Sequence, residues 1–288
     1  PTLGRSVVVH DHLGEPLIER YPTTAASLGV ACPAMPAFQD KLLAVARHLA
    51  VREHGFVGLY LDQLGAAFGQ TCYRDDHSHR PGGAASWNAG HRRIVTDIRA
   101  MLDDVGVGDW MLTTENASEP LVDLIDGFLY YCGIRDEPLG PSVPLWQAIY
   151  GDIAVGFAEY FDRDLKPVNG GPSDGFMVRL ARQAIFGSNL GWVSPLMLSG
   201  EFSPATKFIR TARAARLPML PIIRRGRPDA DALDATGQRT GALQATWRSE
   251  GRAVALAVNP FRKPTTVIWP DGVREALGPL GTVRRELT

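Results

Sequence analysis

Apolar positions along the first two thirds of the chain fall into two alternating textures. One is the short continuous run of a buried strand; the other has the three-to-four-residue spacing of an amphipathic helix. "FQDKLLAVARHLAVREHG" (38–55) places Leu42, Leu43, Ala46 and Leu49 on one helical face and closes on Gly55. "FVGLYLD" (56–62) then reads as a strand, and "WNAGHRRIVTDIRAMLDDVG" (87–106) as a helix with Ile94, Val95, Ile98 and Leu102 on one side. "DWMLTTE" (109–115) predicts the next strand. "SEPLVDLIDGFLYY" (118–131) predicts a helix, with Ser118 as N-cap and Pro120 in its first turn. "VPLWQAIYGD" (143–152) predicts a third strand, "SDGFMVRLARQAIFG" (173–187) a helix opening on Ser173, and "LGWVSPLM" (190–197) a further strand-like run.

Continuous apolar strands alternating with helices define a parallel α/β architecture. With Asp62, Glu115 and Asp152 expected at strand ends, the pattern favours a (β/α)8 TIM-barrel, which collects its working residues there. No GxGxxG follows a first strand to favour a doubly wound sheet. Only four or five barrel strands are legible, so the expectation is a barrel without its amino-terminal strands. From about Leu217 the texture becomes short β-prone pieces between turn residues. The expected division is residues 1–216 as the carboxyl-terminal part of a catalytic barrel and 217–288 as a small antiparallel β domain.

Composition narrows the function. Hydrophobic residues make up 45%, charged residues 21%, and the formal net charge is −1. That is a globular balance without the basic face that nucleic-acid binding requires, and no apolar run spans a bilayer. Neither nucleic acid nor a membrane is therefore an expected partner. Cys32, Cys72 and Cys132 are widely spaced without a CxxC, so spacing indicates neither a disulfide framework nor a thiolate zinc site.

The candidate chemistry lies in the strand-end carboxylates. Glycosidic bond cleavage uses a carboxylate pair, at about 5–5.5 Å for retention and about 6.5–9.5 Å for inversion. A single carboxylate after a strand is more often a helix N-cap, but three in succession favour catalysis by Asp62, Glu115 and Asp152. Gln63, Asn116 and Gln147 adjoin them and are candidates for orienting sugar hydroxyls or the carboxylates themselves. "CYRDDHSHRPGGAASW" (72–87) offers Asp76, His77 and His79 as pocket-wall hydrogen-bonding groups, while Trp87 and Trp192 offer stacking faces for a sugar. Trp110 is expected in the core. The same loop read as a metal site, through His77, His79 and an aspartate, is the alternative. No cofactor is called for.

"ACPAMPAFQDKL", "GLYLDQLG", "HSHRPGGAASW", "LTTENASEP", "VPLWQAIYGD" and "IFGSNLGW" occur in this order over roughly residues 30–200. Together they resemble a family of largely uncharacterised bacterial barrel proteins regarded as glycoside hydrolases. That family's barrel is similar to the α-amylase and endo-α-N-acetylgalactosaminidase group. The resemblance implies Asp62 in "YLDQ" as nucleophile and Glu115 in "TTEN" as acid/base, acting on an α-linked carbohydrate. The α-galactosidase-like barrels put the acid on a later strand, where this chain has Asp152 in "YGD", so Glu115 and Asp152 stand as alternative acids. A non-catalytic carbohydrate-binding remnant is the remaining expectation.

Overall fold

The computed structural model describes all residues except 1–2, 22–25, 52–53, 67–68, 130–143, 159–171, 191–194, 199, 230–232, 235–236, 238–240 and 288. Trp192 and Cys132 therefore lie outside the described residues. The chain divides into two compact units, Pro1–Asp126 and Gly127–Thr288. No helix among the described residues is long and apolar enough to cross a membrane.

The first unit begins with a hairpin of β1 (Ile18–Tyr21) and β2 (Ala26–Gly29). Helix α1 (Pro36–Leu49) follows, then β3 (Gly58–Leu61), the long helix α2 (Ala85–Asp104) and β4 (Met111–Glu115). The α2 face expected from spacing is the one that is buried: Ile94, Val95, Ile98 and Leu102, joined by Trp87, Gly90 and Met101. Strands β3 and β4 pair in parallel, with Gly58 opposite Met111 and Leu61 opposite Thr114. Side chains alternate across this sheet. Leu59, Leu112 and Thr114 are buried on one face, whereas Tyr60 (44% exposed) and Met111 (48%) stand on the other.

Two predicted elements take another form. The helix expected over 118–131 is a single 3₁₀ turn at Glu119–Leu121, and Gly127–Leu129 is strand β5. Asp126 ends the helical option. Its backbone N–H donates to the Leu112 carbonyl at 2.9 Å, and its carboxylate accepts from the Leu112 N–H at 2.7 Å. Arg99 holds the same carboxylate at 2.6 Å, so the chain is drawn into extended pairing just before the helix-breaking Gly127. Ser118 makes no side-chain cap.

In the second unit, "LWQAIY" is helix α3 (Leu145–Tyr150) and not a strand. Trp146 and Gln147 face inward while Leu145 and Ile149 face out, so a short apolar run that mimics a strand is one amphipathic helical turn and a half. Strand β6 (Val155–Phe157) then pairs in parallel with β5. Helix α4 (Asp174–Ile185) starts as expected, the Ser173 hydroxyl accepting from the Phe176 N–H at 3.1 Å. Pro195–Leu198, expected to be strand-like, is a 3₁₀ turn.

Helices α5 (Ser203–Arg216) and α6 (Leu220–Arg225) lead into β7 (Arg227–Pro228), β8 (Leu243–Ser249), β9 (Arg252–Val258), β10 (Thr265–Ile268), β11 (Arg274–Leu277) and β12 (Thr282–Leu287). The antiparallel texture is present: one sheet runs β12-β9-β8-β7, and β10 pairs with β11. Glu250 and Gly251 both have positive φ, the turn that a right-twisted two-residue hairpin requires. One core joins Phe176, Ile185, Phe208 and Ile223 to Trp247 and Leu256, and the Trp247 indole N–H donates to the Ile185 carbonyl at 3.0 Å. That core holds residues from both sides of position 217. The change of sequence texture there is a change of secondary structure within one core.

Candidate functional site

Asp62 directly follows β3 and Glu115 is the last residue of β4. Continuing the register past Leu61 and Thr114 sets the two carboxylates side by side at the carboxyl ends of neighbouring parallel strands. The backbones of such strands lie about 4.8 Å apart.

The sequence around them builds this tip. Gln63 and Asn116 each have φ of 59°, so the chain swings off the strand axis immediately after each carboxylate. Asn tolerates that conformation, whereas for Gln63 it costs on the order of 1–2 kcal/mol. The turn after Asp62 is clamped onto β4: the Thr114 hydroxyl donates to the Leu61 carbonyl at 2.6 Å and accepts from the Gly65 N–H at 3.1 Å. Gly65 is required there, since a Cβ would lie 2.5 Å from the Glu115 carbonyl oxygen.

Tyr60 is the residue that sequence reading missed. It lies two positions before Asp62, on the same strand face. Its phenol interacts with the charges of both Glu115 and Asp62. Burial, then the charges of Glu115 and Asp62, push its pKa well above the ordinary tyrosine value, so it stays a proton donor. The signal available beforehand was the i, i+2 spacing of Tyr60 and Asp62 in "GLYLD".

The third expected carboxylate does not end a strand. Asp152 is exposed, in the turn between α3 and β6, and therefore precedes a strand's amino end. It lacks the strand-end position of Asp62 and Glu115, because the run before it is helical. Gln147 is buried in α3 and donates to the Ser188 hydroxyl at 2.6 Å, so it orders the interior of the second unit.

The loop after β3 differs from its expected part in a sugar pocket. Trp87 is buried, packed with Val9, Cys32 and Cys72 and edge-on to His91 at 5.0 Å between ring centroids, so it presents no open stacking face. Trp110 is in the core, as expected. Asp76 is exposed and paired with Arg74, whose guanidinium holds its carboxyl below the usual range. His77 and His79 turn toward the cysteines. Cys72 Sγ lies 3.4 Å from His77 Nδ1, and Cys32 Sγ lies 3.3 Å from His79 Nε2. The metal set imagined from sequence, two histidines with an aspartate, is thus replaced by two histidines with two cysteines that stand 40 positions apart. No spacing motif joins Cys32 to Cys72, and only the fold brings them together.

An α/β fold with two strand-end carboxylates side by side defines a class, and comparisons with known proteins agree at the level of fold. Ligand-free alpha-N-acetylgalactosaminidase NagBb from Bifidobacterium bifidum superposes with a TM-score of 0.55 at 15% identity, covering 96% of this chain and 39% of that one. Eubacterium rectale Amy13B gives 0.55 at 10% identity, covering 94% and 69%. Residues 2–160 match the family described as Domain of unknown function (DUF6259), and the chain belongs to that family. Among curated proteins, "Putative glycoside hydrolase 22789" of Monosiga brevicollis is 37% identical over 147 residues. A "Putative glycoside hydrolase" of Bacteroides thetaiotaomicron is 27% identical over 267 residues. The aligned part is 50% and 88% of this chain respectively, but only 12% and 38% of those relatives' lengths.

Proposed function

We propose that this chain carries the catalytic carboxylates of a retaining glycoside hydrolase acting on an α-linked carbohydrate. The observation that carries the reading is the register of β3 and β4, which sets Asp62 beside Glu115 with Tyr60 interacting with both. The relatives' names and the fold shared with glycosidases support the same reaction class.

Asp62 attacks the anomeric carbon as the C–O bond to the leaving group breaks, giving a glycosyl ester. Glu115 gives its proton to the departing oxygen. It then takes a proton from the water that cleaves the ester, which restores both carboxyl groups. Tyr60 donates to the Asp62 oxygen that does not attack and fixes the carboxylate's orientation. Gln63 and Asn116, which follow the two carboxylates, are assigned to hydrogen-bonding with sugar hydroxyls. Asp152 has no part in the pair.

A (β/α)8 barrel is the architecture this reading implies, with this chain supplying part of its wall. The buried face of Leu59, Leu112 and Thr114 and the more open face of Tyr60 and Met111 fit the outer and inner sides of such a wall. The test is hydrolysis of a panel of α-linked aryl glycosides and glycans by this chain and by the complete gene product, each beside its Asp62→Asn variant. Turnover lost in the variant supports the reading, and turnover unaffected by it overturns the assignment.

A further inference from the structure

We propose that Cys32, Cys72, His77 and His79 bind one zinc ion in a closed tetrahedral site that fastens the loop after β3 to the turn that carries Cys32. This inference is independent of the glycosidase reading.

The four ligand atoms lie within 4.8 Å of one another. Zinc bonds of about 2.3 Å to sulfur and about 2.05 Å to nitrogen, at tetrahedral angles, place a sulfur and a nitrogen about 3.6 Å apart. The two contacts observed, 3.3 Å and 3.4 Å, are close to that edge, so a modest adjustment of the cluster admits the ion.

Each imidazole is already oriented by a backbone carbonyl. His77 Nε2 lies 3.0 Å from the Ser6 carbonyl oxygen; donating there leaves the Nδ1 lone pair facing Cys72. His79 Nδ1 lies 3.0 Å from the Arg80 carbonyl oxygen; donating there leaves Nε2 facing Cys32. A metal-bound histidine is commonly held in this way, with the ring nitrogen not facing the metal donating to a carbonyl.

The surroundings favour a soft dication. Cys32, Cys72 and His77 are buried, with Val9 and Trp87 packed around the sulfurs. Two thiolates would neutralise Zn²⁺, and a sulfur–nitrogen donor set excludes the hard ions Ca²⁺ and Mg²⁺. Asp76 is held by Arg74.

The site would join two segments whose surroundings are already tied together. Tyr73 N–H donates to the His10 carbonyl and Arg74 to that of Arg5, tying the loop to the amino-terminal segment. Ser78 donates to the Ala34 carbonyl and Gln39 to that of Pro33, fixing the turn that carries Cys32. Helix α2 approaches the same turn at Gly90, where a Cβ would lie 2.4 Å from the Pro33 carbonyl carbon. Four protein ligands leave no open position, so the ion would order the loop and would not activate water.

The test uses the purified chain. Zinc is measured by elemental analysis after dialysis, and the ion is then replaced by Co²⁺ for absorption spectroscopy. About one zinc per chain is expected, with intense tetrahedral d–d bands and thiolate-to-cobalt charge transfer. His79→Ala should lower bound zinc to less than about a tenth per chain, and His79→Cys, which restores a ligand atom, should recover it. The cobalt spectrum of the unaltered chain decides the matter even if His79→Ala fails to fold. Failure to bind added zinc, a weak octahedral cobalt spectrum, or a Cys32–Cys72 disulfide in the native protein would overturn the proposal.

Discussion

Acidification should weaken the first compact unit through His91. This residue sits on α2 with its ring edge-on to Trp87, and burial lowers its pKa from 6.5 to about 4. In the unfolded chain His91 titrates near its ordinary value of about 6.5. Between those two values the unfolded state binds a proton that the folded state refuses. Stability is therefore complete above about pH 6.5 and falls as pH falls toward 4. The two pKa values correspond to a loss of about 2–3 kcal/mol by pH 4.5, a large share of a domain's stability.

Urea unfolding followed by tryptophan fluorescence at pH 4.5 and 7.5 measures this, with His91→Gln as the comparison. Asp123, held low by Arg92, and other carboxylates also titrate on acidification, but they do so in both proteins and cancel in the difference. The substitution should remove about 2–3 kcal/mol of the pH dependence. An equal pH dependence in the two proteins would show that His91 is not held neutral by burial.

Other substitutions separate structural from catalytic roles. Trp87→Ala should cost about 3–5 kcal/mol of stability in thermal or denaturant unfolding, because it leaves a cavity beside Cys32 and Cys72 and removes no exposed platform. Tyr60→Phe should lower kcat/KM about 10-fold or more with the fold intact, the effect of one hydrogen bond to a charged group; an unchanged kcat/KM would remove Tyr60 from the site. Gly65→Ala should depress kcat by pushing the turn after Asp62 off β4, since its methyl would overlap the Glu115 carbonyl. Ser173→Ala should cost about 1 kcal/mol in unfolding experiments through loss of the α4 cap and leave any hydrolytic activity unchanged.

What was legible in the sequence, and what was not, has physical causes. Helix α2 could be read because twenty residues repeat one apolar face, and α4 because Ser173 both signals and makes its cap. Asp62 and Glu115 could be placed because each ends a short apolar run that does become a strand. Asp152 could not, since "LWQAIY" is too short for period alone to separate strand from helix. The stretch 118–131 misled because the bonds that end the helix, from Asp126 to Leu112 and Arg99, come from residues 14 and 27 positions away. Trp87 looked like a loop platform, but its surroundings are Val9, Cys32 and Cys72, which local sequence does not bring near. The Cys–His cluster was hidden for the same reason, although Tyr60 was within reach of a two-residue period.

The central claim is that Asp62 forms the covalent bond to the sugar. The most direct measurement is mechanism-based labelling of the complete gene product with a fluorinated α-glycosyl donor that it accepts, followed by mass spectrometry of the peptide containing "GLYLDQLG". One glycosyl ester is expected on Asp62, absent in Asp62→Asn, with a fall in kcat for that variant on the order of 10³-fold or more. A label on Asp152 or on any other carboxylate, or an Asp62→Asn enzyme that turns over like the wild type, would contradict it.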